Sequence, residues 1–326
     1  MGALPTLTYI AHPVLALATD SGSAASDGVT NIGTVTVSGI DANAMWEYST
    51  DSGTTWSTGT GTSFTLSAGT HDTNSVQVRQ TVAGNVSSAG KISTVITVDT
   101  TSPAAPTLVL TTDSGSSASD GITNVSAVTV IGLEANATWE YSTDGGATWS
   151  TGTGTSFTLS AGIHTAESVQ ARQKDVAGNL SSAGKISTAI TVDATAPSAP
   201  TLALTTDSGS SASDGITNVG AVTVTGLEAN ATWEYSTDGG TNWVAGTGTS
   251  ITLSAGTHDA DSVQVRQKDV AGNVSSAGKI STAITVDATA PFAPTLALTT
   301  DSGIGASDGI TNVGNVTVSA LEANAT

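Results

Sequence analysis

The sequence predicts an all-β fold built from tandem sandwich modules, and three observations lead to this prediction. A unit of about 94 residues recurs, because the string TDSG begins at Thr19, Thr112, Thr206 and Thr300. Apolar residues alternate with polar ones in short runs rich in Val, Ile and Thr, which is the pattern of half-buried strands. No window shows the 3.6-residue period of a helix. The repeat has the size of a small domain and is much longer than a solenoid unit, so we expect separate modules arranged end to end.

The spacing divides the chain into three complete modules and the start of a fourth. The predicted bounds are 1–100, 101–194, 195–288 and 289–326. Module one is one residue shorter, since it reads RQTVAGN at 79–85 where modules two and three read RQKDVAGN. The last copy stops before its WEYST segment, so we expect a fragment of a longer protein. Its two strands cannot close a core alone, and we expect this segment to fray or to lean on module three.

Seven strands, A, B, C, C′, E, F and G, are predicted in each module. In module two they lie at 106–110, 127–133, 138–143, around 149, and at 156–160, 168–173 and 185–192. Trp139 and Tyr141 share one face of strand C, and Asp-Gly turns separate several strands. Seven short strands with a Trp on the third are typical of an immunoglobulin-like (Ig-like) sandwich. The chain has no Cys, so this sandwich has no disulfide.

The charge and composition exclude several classes of function. The 27 Asp and Glu outnumber the 8 Lys and Arg, for a net charge of −19. Nucleic acid is a poor partner for such a chain, because phosphate binding needs clustered cations. No apolar run approaches the roughly 20 residues of a membrane-spanning helix, so we expect no membrane insertion. His71, His164 and His258 recur in one loop of each copy without a nucleophile–base motif, and we predict that the chain is not an enzyme.

The positions of the carboxylates predict a cation between modules. Threading the strands places all acidic residues except Glu47, Glu140 and Glu234 at the ends of modules or in connectors. Where modules two and three join, one set of carboxylates is expected to face another: Asp113, Asp120, Asp144, Glu167 and Asp193 opposite Glu228 and Asp269. Like charges ~4 Å apart repel by about 1 kcal/mol in water, and Ca²⁺ binds carboxylate and carbonyl oxygens. The alternative is that these residues are solvated turn formers.

Three segments carry a resemblance that covers essentially the whole chain. VDTTSPAAPTLVLTTDSGSSASDGITN, WEYSTDGGATW and VRQKDVAGNVSSAGK resemble the tandem Ig-like repeats of giant bacterial surface adhesins, including biofilm-associated and RTX-type proteins exported by type I secretion. The resemblance implies an extracellular stalk that projects a distal binding domain from the cell surface. It also implies that neighbouring modules of a longer chain are the main partners, and that adhesion to glycans or other cell surfaces belongs to other domains.

In some relatives of this type, Ca²⁺ stiffens the module junctions, and the resemblance carries this expectation to particular residues. The connector and loop residues that match by position, together with the Asp of two later loops, are the candidate ligands: Asp99, Asp113, Asp120, Asp175, Asp193, Asp207, Asp214, Asp269 and Asp287. Module one has no counterpart of Asp175 and Asp269, because its sequence there is RQTVAGN. This absence weakens the pattern at the N-terminal end of module one.

A second motif, SxDxGxTW, spans Ser49–Trp56 and Ser142–Trp149, and the third copy has Asn242 in place of Thr. It matches the Asp-box hairpin of sialidases and other propellers, where it is a structural turn, and we predict the same role here. Trp149 raises an alternative function, since a partly exposed Trp stacks on sugars. The alternative to a structural spacer is therefore a module that binds carbohydrate or a host receptor.

Overall fold

The computed structural model describes residues 9–322, and every regular element in this range is a β-strand. Residues 1–8 and 323–326, the ends of the first and fourth predicted modules, lie outside the described residues. The chain divides into two compact units, Met1–Asp193 and Ala194–Thr326. The first unit holds modules one and two, and the second holds module three and the start of module four. In the described range, no helix of the length and apolarity needed to cross a bilayer occurs.

The strands follow the same order in each module. Module one contains β1 (Val14–Leu17), β2 (Val29–Thr30), β3 (Thr34–Ser38), β4 (Met45–Ser49), β5 (Ser57–Thr58), β6 (Ser63–Thr65), β7 (Gly69–His71), β8 (Gln77–Val82), β9 (Asn85–Val86), β10 (Gly90–Lys91) and β11 (Ile96–Val98). Module two contains β12 (Thr107–Leu110), β13 (Ile122–Thr123), β14 (Ala127–Ile131), β15 (Thr138–Ser142), β16 (Ser150–Thr151), β17 (Ser156–Thr158), β18 (Gly162–His164), β19 (Gln170–Lys174), β20 (Gly184–Lys185) and β21 (Ile190–Val192). Module three contains β22 (Thr201–Leu204), β23 (Ile216–Thr217), β24 (Ala221–Thr225), β25 (Thr232–Ser236), β26 (Val244–Ala245), β27 (Ser250–Thr252), β28 (Gly256–His258), β29 (Gln264–Lys268), β30 (Gly278–Lys279) and β31 (Ile284–Val286). The fourth, partial module contains β32 (Thr295–Leu298) and β33 (Val316–Ser319).

Each complete module is a sandwich of two antiparallel sheets. In module two, one sheet has the order β12-β14-β17 and the other the order β16-β15-β19-β20. The register places Leu108 opposite Val130 in the first sheet and Trp139 opposite Gln173 in the second. Strands β12, β14 and β17 are the predicted A, B and E, and β15, β16 and β19 are C, C′ and F. The prediction of an all-β, Ig-like sandwich without disulfides is confirmed.

The alternating apolar faces of these strands form one core in each complete module. In module two, Trp139 is 4% exposed, and Tyr141 stacks on Phe157 with ring centroids 4.3 Å apart. The other buried members of this core are Leu108, Val128, Val130, Leu159, Val169, Ala171, Ile190 and Val192. Modules one and three have separate cores of the same kind. Each module therefore removes its own apolar surface from water, which is the dominant favourable contribution to folding.

A small third sheet completes each module, and the sequence does not predict it. In module two, β13 pairs in parallel with β21, and β18 pairs with the other edge of β21. The prediction of one continuous strand over 185–192 is wrong, because the chain breaks into β20 and β21. The break allows β20 to pair with β19 while β21 joins β13 and β18. Strands of two or three residues are too short to give a period-2 pattern, which is why the sequence alone did not reveal them.

The one-residue deletion in module one changes the turn that follows β8, the predicted strand F. Ala83 (φ 46°) and Gly84 (φ 81°) join β8 directly to β9. Positive φ at both central residues is the conformation of a type I′ hairpin. Module two has a wider turn in the same place, formed by residues 175–179 and closed by the pairing of Lys174 with Leu180. We call residues 175–179, with the sequence DVAGN, the DVAGN turn.

The fourth module consists of a hairpin without a core. Strands β32 and β33 pair in the register of β22 and β24. Val316 and Val318 are 52% and 46% exposed, whereas the equivalent Val222 and Val224 of module three are 0% and 1% exposed. The two strands predicted for this segment are present and paired, and the expectation that the segment frays or leans on module three stays a prediction. In the described range no residue of this hairpin belongs to a hydrophobic core cluster.

Candidate functional site

The Asp of each TDSG loop closes the loop onto its own module with one oxygen only. Oδ2 of Asp113 accepts a hydrogen bond from the N–H of Gly121 at 2.9 Å, and Asp207 accepts one from Gly215 at 3.0 Å. The second oxygen, Oδ1, is buried without a hydrogen-bond partner in all four copies: Asp20, Asp113, Asp207 and Asp301. A buried carboxylate oxygen without a partner is costly. A cation or a water molecule would satisfy it.

Most of the other predicted calcium ligands form turns. Oδ1 of each accepts a hydrogen bond from the N–H two residues later, at 2.9 or 3.0 Å: Asp99 from Thr101, Asp120 from Ile122, Asp214 from Ile216 and Asp287 from Thr289. Asp193 occupies the same connector position as Asp99, and its N–H donates to the carbonyl of Thr123 at 2.9 Å. A carboxylate that accepts the N–H two residues later stabilises a turn. Turn formation was the alternative to calcium binding for these residues.

Both oxygens of the Asp in the DVAGN turn accept hydrogen bonds from N–H donors. Oδ1 of Asp175 accepts hydrogen bonds from the N–H groups of Gly178 at 2.7 Å and Asn179 at 2.8 Å. Oδ2 accepts a third bond from Nδ2 of Asn179 at 2.8 Å. Asp269 has the same three bonds in module three. A calcium ion at these two residues would compete with these donors.

Calcium therefore fits the TDSG loops better than the DVAGN turns. Oδ1 of the TDSG Asp is the one carboxylate oxygen in each loop that is buried and lacks a donor. Among residues 9–322, no three His, Cys, Asp or Glu side chains are grouped so as to hold a metal. A cation there would need further ligands from carbonyls and water, which Ca²⁺ accepts readily. The nine predicted ligands stay a prediction.

Modules one and two are joined by hydrogen bonds from neutral groups. The N–H of Asn31 donates to the carbonyl of Ala177 at 3.0 Å, and the N–H of Ser23 donates to the carbonyl of Val176 at 3.1 Å. The hydroxyl of Ser21 lies 2.8 Å from the same Ala177 carbonyl. All three donors belong to the TDSG loop region of module one. All the acceptors are main-chain atoms of the DVAGN turn.

One further bond runs in the opposite direction across this junction. Nδ2 of Asn179 donates to the carbonyl of Asp99 at 2.8 Å. An amide nitrogen has two hydrogens, and Asn179 uses the other for Asp175 in its own turn. We call the group in module one that receives the turn the junction socket, and it consists of Ser21, Gly22, Ser23, Asn31 and the carbonyl of Asp99.

The two contacting segments lie at opposite ends of their modules. The DVAGN turn follows β19, and Gln173 in β19 donates to the carbonyl of Ala104, just before β12 begins, at 2.8 Å. Ala104 lies before the start of β12, whereas the TDSG loop of module two follows the end of β12 at Leu110. Because module one offers its TDSG loop and module two its DVAGN turn, these two modules meet end to end.

Carboxylates were the groups predicted to meet between modules, whereas Ser and Asn residues make the contacts between modules one and two. A signal was present, because both residues recur in every copy: Ser21, Ser114, Ser208 and Ser302, with Asn31, Asn124, Asn218 and Asn312. In the fourth copy, as in the first, the Ser hydroxyl lies close to Oδ1 of the Asn. Ser and Asn are common turn residues. Their recurrence in a turn-rich segment is therefore explained by turn formation alone and does not by itself indicate a contact between modules.

The SxDxGxTW motif is a structural hairpin, as predicted. Ser142 donates to Oδ1 of Asp144 at 2.7 Å, and Thr148 donates to the same carboxylate through its hydroxyl and its N–H. Nε1 of Trp149 donates to the carbonyl of Gly146 at 3.0 Å. Hydrogen bonds to a carboxylate favour its charged form. The bonds from Thr148 therefore hold the pKa of Asp144 well below its ordinary value.

The same hairpin in modules one and three gives a pH dependence. Hydrogen bonds, first from Thr55 and Asn242 respectively, lower the pKa of Asp51 and the pKa of Asp238 to about 2. A carboxyl whose pKa is lower in the folded state stabilises the fold above its unfolded pKa, and this contribution is lost as the pH falls. We expect the unfolding temperature to drop between about pH 4 and pH 2. A triple variant, Asp51→Asn, Asp144→Asn and Asp238→Asn, should show a smaller drop over this window in scanning calorimetry. An equal drop in both proteins would contradict the assignment.

The partly exposed Trp of the hairpin, Trp149, is covered on one face by a cation. The guanidinium of Arg172 lies 4.0 Å from the centre of the Trp149 ring, and the same Arg pairs with Glu140 at 2.9 Å. The equivalent pairs recur in modules one and three. A sugar that stacks on Trp149 from this side would have to displace Arg172, so the ring is a less open platform than the sequence suggests.

The recurring His lines a shallow polar depression rather than a catalytic arrangement. Nε2 of His164 lies 3.0 Å from the carbonyl of Ser160. Asp144, His164, Glu167 and Lys185 border a depression of ≈ 450 Å³, and module three has a similar one. Lys185 pairs with Glu167 at 3.3 Å across it. A His ring can activate a neighbouring Ser hydroxyl for nucleophilic attack, whereas Nε2 of His164 contacts a main-chain carbonyl.

Comparison with known proteins gives similarities of fold only. No protein-family model matches the chain, and no curated protein matches it. A structure of a 1.5-MDa bacterial ice-binding adhesin is 15% identical and covers 78% of this chain and 90% of its own, with a TM-score of 0.27. The fibronectin(III)-like modules of Clostridium thermocellum CbhA are 14% identical and cover 56% and 87%, with a TM-score of 0.30. Chicken CNTN1 domains FN1–FN3 are 12% identical and cover 85% and 100%, with a TM-score of 0.29.

At these scores the similarities carry no argument about function. The class of the protein rests on its own strands, sheets and cores. Those features define a chain of tandem Ig-like sandwich modules.

Proposed function

We propose that the chain is a structural spacer, a stalk segment of a bacterial cell-surface adhesin that holds a distal binding domain away from the cell. The observation that carries the proposal is the junction of modules one and two, where opposite ends of two independent sandwiches are joined by hydrogen bonds to main-chain carbonyls. Modules joined at their ends extend the chain along one direction, and the contact does not use the faces of the sheets. The location outside the cell is part of the same proposal.

Small-angle scattering of the whole chain tests the spacer. A compact protein of 326 residues would have a radius of gyration of about 20 Å. We expect a value well above this, with a distance distribution that has a long tail, because a spacer must be elongated. A radius of gyration near that of a compact protein would overturn the proposal.

We further propose that Ca²⁺ binds at the TDSG loops and stiffens the junctions. The buried Oδ1 atoms of Asp20, Asp113, Asp207 and Asp301 support this proposal, because each lacks a hydrogen-bond donor. When bound, the ion would neutralise carboxylates that otherwise repel one another. The same scattering experiment in calcium buffer and in EDTA separates the two proposals. A profile that EDTA leaves unchanged would remove the calcium site and leave the spacer.

The alternative of carbohydrate binding rests on Trp149, and the contacts of this residue do not favour it. Arg172 covers one face of the ring, and the indole N–H is already bonded inside the hairpin. The spacer remains the function that the geometry supports best.

A further inference from the structure

The contact between modules one and two has the properties of a specific docking site. We propose that the junction socket recognises the main chain of a DVAGN turn, and that it accepts as its neighbour only a module that carries this turn. The inference deepens the spacer function and rests on it in one respect, since it explains how the modules are held in line. The partner is a second module of the same repeat, placed directly after the socket.

The socket is preformed by bonds within its own module. The hydroxyl of Ser21 lies 2.9 Å from Oγ1 of Thr30, a fully buried residue, and accepts a hydrogen bond from the N–H of Asn31 at 2.8 Å. Module three shows the same loop without a DVAGN turn bonded to Ser208 or Asn218. Ser208 lies 3.0 Å from Oγ1 of Thr217, and the N–H of Asn218 donates to Ser208 at 2.9 Å.

Because the loop has this conformation with and without a turn in place, docking orders few additional groups. A site that needs little reorganisation loses less of its binding free energy to conformational entropy. The socket is therefore suited to fix a neighbour without a large interface.

Glycine at position 22 is required because the turn approaches very closely. A Cβ atom on Gly22 would lie 2.0 Å from the carbonyl oxygen of Val176. The equivalent Gly209 of module three has nearly the same backbone, with φ of 112° against 106°. A Cβ there would have Ile216 O at 3.8 Å as its nearest neighbour. The two glycines thus share their backbone strain and differ only in the presence of the turn.

The turn presents carbonyl groups because its own Asp holds it in shape. Asp175 binds the N–H groups of Gly178 and Asn179, and this leaves the carbonyls of Val176 and Ala177 to accept bonds from the socket. Ala177 is fully buried, so a larger side chain has no room there. Asp175, predicted as a calcium ligand, is thus a positioning residue for docking.

Module one shows what happens without this Asp. Its shorter sequence forms a type I′ hairpin at Ala83 and Gly84 with strands on both sides, and the module still builds a complete core. A hairpin of this shape lacks the wide turn that enters the socket. The deletion therefore allows module one to fold but removes the turn that would enter another module's socket. Module one can act as a socket for the next module and cannot itself dock through a DVAGN turn.

This natural deletion supplies the decisive variant. In the whole chain, Lys174–Asp175 of module two would be replaced with a single Thr, so that the turn copies that of module one. Hydrogen exchange with mass spectrometry then follows the amide of Ser23, whose acceptor is the carbonyl of Val176 in module two. We expect this amide to exchange about tenfold faster or more, since it loses the hydrogen bond that closes the junction. The amide of Asn31 keeps its bond to Ser21 within module one and reports whether the loop itself is intact. The sequence of the loop is unchanged.

Two glycine variants provide the matched comparison. Gly22→Ala should accelerate exchange at Ser23 as the turn deletion does. Gly209→Ala, at a position with a similar positive φ and no turn in place, should leave the amide of Asn218 in its own loop unchanged. The amides of β14 and β19 report whether module two remains folded in each protein. Unchanged exchange at Ser23 in the deletion variant would overturn the proposal.

The scattering profile of the deletion variant separates this inference from the spacer itself. Faster exchange with an elongated but more flexible chain supports both. An elongated wild-type chain whose exchange is insensitive to the deletion would reject the socket and retain the spacer, while a compact wild-type chain would reject the spacer whatever the exchange result.

Discussion

Replacing Trp139 with Ala should lower the free energy of unfolding of module two by about 3–5 kcal/mol. The indole is 4% exposed and lies between the two sheets, with Nε1 donating to the carbonyl of Gly154 at 3.0 Å. Gly152 packs directly against the ring, since a Cβ there would lie 2.3 Å from its atoms. Ala would leave a cavity beside Gly152, which has no side chain to fill it. A domain of this size has roughly 5–14 kcal/mol of stability, so the loss is a large part of the total.

Native-state hydrogen exchange measures this effect one module at a time. The amides of β14, β15 and β19 should become less protected, while the equivalent strands of module three should not change. Trp149→Ala is the matched control in the same module. Its ring is partly exposed, lies 4.0 Å from the guanidinium of Arg172 and donates one hydrogen bond to Gly146. We therefore expect a smaller loss, of about 1–2 kcal/mol. Equal losses for the two Trp variants would show that Trp139 is not the centre of the core.

The sequence predicted the core well because a strand displays its environment in its side chains. Val128 and Val130, Phe157 and Leu159 all alternate with polar neighbours, and all four are buried. The period of 2 distinguishes the two faces of a strand without any knowledge of the partner strand. The two strands that carry these residues, and their inward faces, could therefore be assigned from one copy of the repeat.

The junction could not be predicted in the same way, because its acceptors are main-chain atoms. The carbonyls of Val176 and Ala177 have no sequence signature, and their exposure depends on how Asp175 folds the turn. The carboxylates attracted attention because their charges are visible in the sequence, yet most of them are used to close turns. The third sheet was missed for a related reason, since strands as short as β13 carry no period.

A buried polar residue is a further feature that the pattern marks but does not explain. Gln173 falls on the same face of its strand as Val169 and Ala171, which is the core face. It is 0% exposed, as are Gln80 and Gln267 in the other modules. A polar side chain at a core position must have hydrogen-bond partners to be tolerated, and the sequence does not say which groups these are.

Replacing Gln173 with Leu should destabilise module two by about 3–5 kcal/mol, because the variant leaves three main-chain groups without partners. Nε2 donates to the carbonyls of Ala104 at 2.8 Å and Gly132 at 3.0 Å. Oε1 accepts from the N–H of Glu134 at 2.8 Å. The amide thus ties together the start of the module, the loop after β14 and the end of β19. Leu is similar in size, so the loss comes from unsatisfied polar groups and not from a cavity.

Gln170→Leu is the matched control in the same strand. Gln170 is also buried, at 7% exposure, but its Nε2 makes one hydrogen bond, to the carbonyl of Glu167 at 2.8 Å. We expect a loss of only about 1 kcal/mol there, measured for both variants by denaturant unfolding with hydrogen exchange to identify the module. Because Gln173 lies two residues before Asp175, its loss should also loosen the DVAGN turn and speed exchange at Ser23 in module one, whose N–H donates to the carbonyl of Val176. A Gln173 variant no less stable than the Gln170 variant would mean that water replaces the lost amide, and that the end of the module is more open than the structure indicates.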